Sequence, residues 1–165
     1  MTPEETHLLH RLLQQQPVAA LATLHKGSPA VSMVPFALAG EGQGVLIHVS
    51  ALSTHTQDMR AHAEVSLLIT APLSEAQTPL ALPRVSVSGE ACELSSDDAA
   101  HAAARAAYLA KLPDAEPLFD FADFSLFLIT PRHLRFVAGF GRALSLVGER
   151  MQAAWPPAPG TSESV

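Results

Sequence analysis

His48-Val49-Ser50-Ala51-Leu52-Ser53-Thr54-His55-Thr56-Gln57-Asp58-Met59 is the stretch that decides the fold. It completes the run Val45 to Ser50, in which Val45, Ile47 and Val49 share one face as a half-buried strand requires. Hydroxyl side chains then gather, and Thr54 with Gln57 matches a capping box that predicts a helix over 55–63. A strand that runs into a helix start offers free backbone N–H groups and the positive end of a dipole to an anion such as phosphate. Serine and threonine are also the commonest helix caps, so local physics leaves both capping and anion binding open.

Outward from this stretch the pattern is mostly strands. Val65, Leu67 and Ile69 share a face of the next strand, and upstream Val18 to Leu24 and Ala30 to Leu38 predict a hairpin around His25-Lys26-Gly27-Ser28. Pro29 and Pro35 suggest irregular or edge pairing there. Ahead of the hairpin, Thr2, Pro3 and Glu5 open an amphipathic helix whose stripe is Leu8, Leu9, Leu12 and Leu13. Gly40-Glu41-Gly42-Gln43-Gly44 lacks both the spacing and the following helix of a dinucleotide-binding loop and is expected to be a turn.

Downstream, Ala71 to Leu82 carries Pro72 and Pro79 and predicts a mobile loop. Arg84 to Leu94 alternates, with Val85, Val87 and Ala91 on one face and Arg84, Ser86, Ser88 and Glu90 on the other. An alanine-rich helix follows from Ser95 to about Lys111. Two last strands, 125–130 and 133–140, are expected on either side of a turn at Pro131-Arg132. Some seven strands with few helices and no regular alternation of the two indicate an α+β domain built on an antiparallel barrel. One domain is expected over 1–150, followed by a flexible, Pro-rich tail over 151–165 that from Trp155 onward has little to bury.

Composition narrows the function. Ten basic against sixteen acidic residues give a net charge of −6, which disfavours nucleic acid. No run approaches the roughly 20 apolar residues of a membrane span, and the acidic amino terminus is unlike a secretory signal, so a cytoplasmic protein without a membrane partner is expected. A lone cysteine, Cys92, and the absence of a His-x-x-x-His pair leave no sequence signature of a metal site. Ser50, His55 and Asp58 are too close along the chain for a hydrolase triad.

Ser53 to Met59 after a strand, followed by Val65-Ser66-Leu67-Leu68, resembles the FMN-phosphate segment of the pyridoxamine 5′-phosphate oxidase-like split barrels, particularly their haem-utilisation branch. Pro29 to Phe36 is similar to the strand along the flavin, Pro83 to Ala91 to the later Arg-led strand ending in glycine, and Phe124 to Ala143 to the branch's carboxy-terminal strands. The resemblance covers about residues 5 to 147 and implies an antiparallel split β-barrel with flanking helices, working as a homodimer with cofactor at the interface.

It further implies that Ser50, Ser53, Thr54, His55 and Arg84 hold the FMN phosphate and ribityl chain, while Ser32, Met33 and Val34 line the isoalloxazine. The expected function is an FMN-dependent oxidoreductase acting on a small-molecule substrate, with no catalytic residue identified. Haem binding or degradation is the alternative, and a non-enzymatic flavin-binding sensor or carrier is another. Two departures stand out: His55 replaces a common lysine, and Asp58 places a negative charge where asparagine is common. Haem-degrading members of the branch use a carboxy-terminal histidine as iron ligand, whereas this sequence has no histidine after His133.

Overall fold

The computed structural model describes residues 1–40, 44–75 and 78–157. Helix α1 (Pro3–Gln15) starts as its sequence requires: the Thr2 backbone N–H donates to Glu5 Oε2 at 2.8 Å and the Glu5 N–H donates to Thr2 Oγ1 at 3.2 Å. The strands are β1 (Val18–His25), β2 (Ser28–Pro35), β3 (Ala37–Leu38), β4 (Val45–Ser50), β5 (Glu64–Thr70), β6 (Arg84–Leu94), β7 (Phe124–Gly139) and β8 (Arg142–Leu146). Between them lie α2 (Thr54–Ala61) and α3 (Ala99–Lys111), and α4 (Gly148–Ala154) follows β8.

All strand pairs are antiparallel, in the order β2-β1-β5-β6-β7-β4-β3, with β8 added to β7. The two ends of that order, β2 and β3, are separated in the chain only by Phe36. One sheet whose opposite edges are joined by a single residue must curl round on itself, which makes a barrel that hydrogen bonds do not close. Phe36 is fully buried at this seam, and its N–H donates to the Pro17 carbonyl at 3.2 Å. Inside the curl, Leu21, Ile47, Leu67, Val85, Val87 and Phe136 are wholly inaccessible, and Leu9, Leu12 and Leu13 of α1 pack against the same core.

Several expectations are corrected. Residues 125–139 form no turn at Pro131-Arg132; they belong to the single 16-residue strand β7, and Phe140 follows it in the turn to β8. Proline has no N–H for a ladder and is tolerated at an irregularity, and the β6–β7 register shifts at Ser88/Gly89, where Gly89 faces Pro131. A Cβ on Gly89 would lie 2.2 Å from the Thr130 carbonyl oxygen, so glycine permits this close approach.

Strand β8 was not foreseen. The tail expected from residue 151 instead contributes Met151, Ala154 and Trp155 to the core, because β8 leads α4 back across α1, where His10 Nε2 meets the Ala154 carbonyl at 3.2 Å. The loop 71–82 includes two short 3₁₀ turns, Leu73–Glu75 and Pro79–Ala81. Residues 41–43 of the glycine turn, 76–77 of this loop and 158–165 of the tail lie outside the described residues.

Candidate functional site

The outer faces of six strands form one surface. Register sets Met33 beside Ala20, Ala20 beside Leu68, Leu68 beside Ser86, Ser86 beside Arg135 and Arg135 beside Ser145. The next row runs Val31, Ala22, Ser66, Ser88 and His133, with Ser66 Oγ and Ser88 Oγ 3.2 Å apart. Residues paired across a ladder project to the same side, so this face is apolar toward β2, floored by small side chains, and basic toward β7 and β8. Val31 and Met33 remain 72% and 67% exposed.

At the basic end a cavity of about 460 Å³ opens between Arg84, Ser86, Arg135, Phe140 and Arg142. Arg142 is paired with Glu5 of α1. Arg84 Nη1 donates to the Leu82 carbonyl at 3.0 Å, and Arg135 Nη1 donates to Ser145 Oγ at 3.4 Å. Among the described residues neither Arg84 nor Arg135 meets a carboxylate. Two guanidinium forks without counter-charge beside an apolar surface suit a flat ligand that carries carboxylates or phosphate. Arg135 and Arg142 escaped the sequence reading. The alternation of β7 held the signal for Arg135, which lies opposite Leu134 and Phe136 in that pattern and therefore shares the face of Arg84's partner Val137.

The start of α2 is the other half of the predicted site. Ser53 is its N-cap and its side chain makes no capping bond, so the expected Thr54–Gln57 capping box is absent. Gln57 Nε2 donates instead to the Ala51 carbonyl at 2.7 Å and Thr56 Oγ1 to the Ser50 carbonyl at 2.7 Å. Ser50 Oγ is engaged, donating to Asp123 Oδ2 at 2.8 Å and accepting from the Leu52 N–H at 3.1 Å. Thr54 is exposed at the first helical position. His55 is half-buried with Nε2 shielded from water and without a partner. Burial lowers its pKa against the opposing pull of Asp58, so the imidazole is neutral near pH 7.

Asp58 does not face this site. It turns inward, where Thr23 Oγ1 donates to it at 2.9 Å and His25 Nδ1 lies at 2.8 Å. Burial alone would raise its pKa; the hydrogen bonds from His25 and Thr23 and the pull of nearby imidazoles hold the carboxyl below its ordinary range.

One chain does not unite the predicted residues. Ser50 pairs with Phe124 at the start of β7, and Arg84 pairs with Val137 thirteen residues further along that strand. Nor do Ser32, Met33 and Val34 share a surface: Val34 is buried in the core, Ser32 points the same way opposite Leu21, and Met33 projects to the outer face.

A second concavity, about 650 Å³, lies on the covered half of the sheet beside His48, His101, Phe119, Phe121 and Phe124. The His48 ring stacks on Phe119 at 3.8 Å and 6°, and its Nδ1 is buried without a partner. Burial first, then the nearby His101 and Arg105, push its pKa down to about 4. The cations around it are engaged: Arg60 clasps Glu93 with two 2.8 Å bonds, and Arg105 lies 5.0 Å above the Phe119 ring with Glu116 at 3.9 Å.

The chain is thus an open split barrel whose outer face has a concavity at its basic end, and comparison gives the family. The chain belongs to the pyridoxamine 5′-phosphate oxidase family, whose model matches residues 6–138. It is 41% identical over 125 residues to the chloroplastic heme oxygenase HOZ of Arabidopsis thaliana, an overlap of 76% of this chain and 36% of that one. It is 28% identical over 138 residues to heme oxygenase HutZ of Vibrio cholerae, covering 82% and 77%. Among solved structures it matches a heme binding protein from Mycobacterium smegmatis with TM-score 0.81 and 31% identity, covering 93% of this chain and 62% of that one. The chain thus spans about a third of the length of the plant relative. Among the described residues no helix is long and apolar enough to cross a membrane.

Proposed function

We propose that this protein binds haem on the outer face of its sheet and has the oxygenase activity for which two of its relatives are named. The observation that carries this reading is the pair Arg84 and Arg135, which among the described residues meet no carboxylate and stand at the edge of an apolar, small-residue floor. Haem is a flat apolar ring with two carboxylates, and the donor set fits it. The guanidinium groups would hold the carboxylates, and Leu68, Met33 and Val31 would cover the ring and keep water from it. When bound, haem supplies an iron that activates dioxygen; the protein supplies position, charge and a dry face.

A homodimer belongs to the same reading. Val31, Met33 and Leu68 form an apolar patch on a sheet face, and a two-fold partner laid on it would give two equivalent sites. It would also let the α2 start of one copy approach the arginines of the other, which one chain keeps apart.

Titration of apo-protein with hemin tests the reading. A saturable Soret change, followed by loss of the band and release of bile pigment with reductant and dioxygen, is the expected result. No Soret change at micromolar protein overturns it. FMN is the second reading, favoured by the uncapped hydroxyl of Ser53 at the start of α2. Quenching of FMN fluorescence by the same apo-protein, without a response to hemin, would establish it instead.

A further inference from the structure

Resting on the haem reading, we infer that His133 provides the protein ligand to the iron. β7 places His133, Arg135 and Val137 on its outer face, while Leu134 and Phe136 between them are fully buried in the core. His133 pairs with Ser88, Arg135 with Ser86, and Val137 with Arg84. Residues two apart on a strand stand about 7 Å from one another along it. The half-buried imidazole therefore sits one step from Arg135 and two steps from the strand position that Arg84 faces. A nitrogen ligand for the metal and cations for the carboxylates thus lie on one surface, arranged along one line. The residues that flank the imidazole in its row, Ser88, Ser66 and Ala22, are small and leave space above the floor for a ring.

The other histidines lie elsewhere: His7 is exposed on α1 and His62 is exposed at the end of α2. His25 is joined to Asp58, and His10 meets the Ala154 carbonyl. His48 is 7% exposed and shielded by Phe119. His55 lies at the start of α2, beyond the far end of β7 from the arginines. His101 is the strongest competitor, since it opens into the aromatic concavity. That concavity, however, holds Glu93, and the arginines nearby are engaged with Glu93, Phe119 and Glu116. Two haem carboxylates would find no uncommitted cation there. Imidazole is the commonest protein ligand to haem iron, and the basic end of the open face carries one such ring, His133.

The experiment is resonance Raman spectroscopy of the ferrous hemin-reconstituted protein, with the unmodified chain, His133→Ala and His101→Ala compared after circular dichroism has shown the same fold. An iron–histidine stretching band is expected in the unmodified protein and in His101→Ala, and its loss in His133→Ala. Free imidazole added to His133→Ala is expected to restore a nitrogen-ligated spectrum, which shows that the variant still holds haem with an open position at the iron. Arg84→Ala should weaken hemin binding while the fraction still bound keeps the band. Retention of the band in His133→Ala, or its loss in His101→Ala alone, overturns the assignment and moves the ligand elsewhere. An unmodified protein that gives a Soret band without an iron–histidine band overturns it too, yet leaves haem binding standing. If His133→Ala fails to fold, His133→Asn takes its place, with the same band as readout.

Discussion

The outer face of the sheet is built in two ways. Over β4 and the first half of β7 it is covered: α3 and the 3₁₀ segment Pro113–Asp120 lie on Leu46, His48 and Leu126, so that β4 is buried on both sides. Over β2, β1, β5 and β6 the same face is bare, and there alanines and serines lie with Arg84, the polar Glu64 and Thr70, and the exposed apolar residues Val18, Val31, Met33 and Leu68. The covered half shows what a closed layer demands, namely leucines, Tyr108, and a histidine stripped of its charge. The bare half has small groups and unopposed cations, which suit a surface that is completed by something outside the chain.

Stability should divide along this line. Leu126→Ala removes a side chain that is 1% exposed and should cost about 2–5 kcal/mol in urea denaturation, whereas Leu68→Ala, from a residue 40% exposed, should stay within about 0.5 kcal/mol for the single chain. Similar losses in the two variants would erase the distinction.

His48 sharpens it through pH. Its folded pKa, about 4, is depressed below the ordinary value of 6.5, so the unfolded chain takes up the proton first as pH falls. Stability from this group is full above pH 6.5, declines between 6.5 and 4 by up to about 3 kcal/mol, and levels below that. His48→Phe should flatten that part of the profile; an unchanged slope would show that the ring is not held neutral. Asp58 acts in the opposite corner of the scale. Its carboxyl is held low, so its contribution is present above the ordinary carboxylate pKa and is lost as pH falls through the folded value, and Asp58→Asn should remove that acid limb.

On the bare half, Arg84→Ala should weaken hemin binding by roughly tenfold to a hundredfold, about 1.5–3 kcal/mol, as expected for a charge-assisted contact. Arg105→Ala, which takes an equal charge from the covered half, should change it less than about twofold, since that arginine is stacked on Phe119 and lies some distance within screening salt. Equal affinities would remove Arg84 from the site. A smaller effect than that of Arg84→Ala is expected at the proposed dimer patch. Met33→Ala should weaken self-association by about tenfold, about 1.4 kcal/mol, in sedimentation velocity, with the monomer fold intact. A chain that sediments at 17.4 kDa throughout would contradict the dimer itself.

Much of this protein was legible in its sequence because the forces concerned are local. The Thr2–Glu5 capping box and the period-two alternation of β4, β5 and β6 need only neighbouring residues, and they gave the helix start, the strands and which residues share a side. The likeness of four segments in order pointed to the family. What failed depended on distant partners. Pro131 looks like a turn until Gly89 on the next strand allows it to continue, and Trp155 looks idle until α4 brings it against the barrel. Thr54 and Gln57 match a capping box, yet the chain around Ser50 and Ala51 offers their neighbourhood better hydrogen bonds.

Alternation also could not tell which of two faces would be covered, because both faces of a strand have the same spacing. That was decided by where α3 lay down after β6, which left His48 beneath Phe119 and left Arg84, Arg135 and His133 on the open side. The sequence alone determined that these side chains shared faces; only the folded sheet determined which face met another layer and which met solvent, since burial is a property of the packed whole and not of any segment.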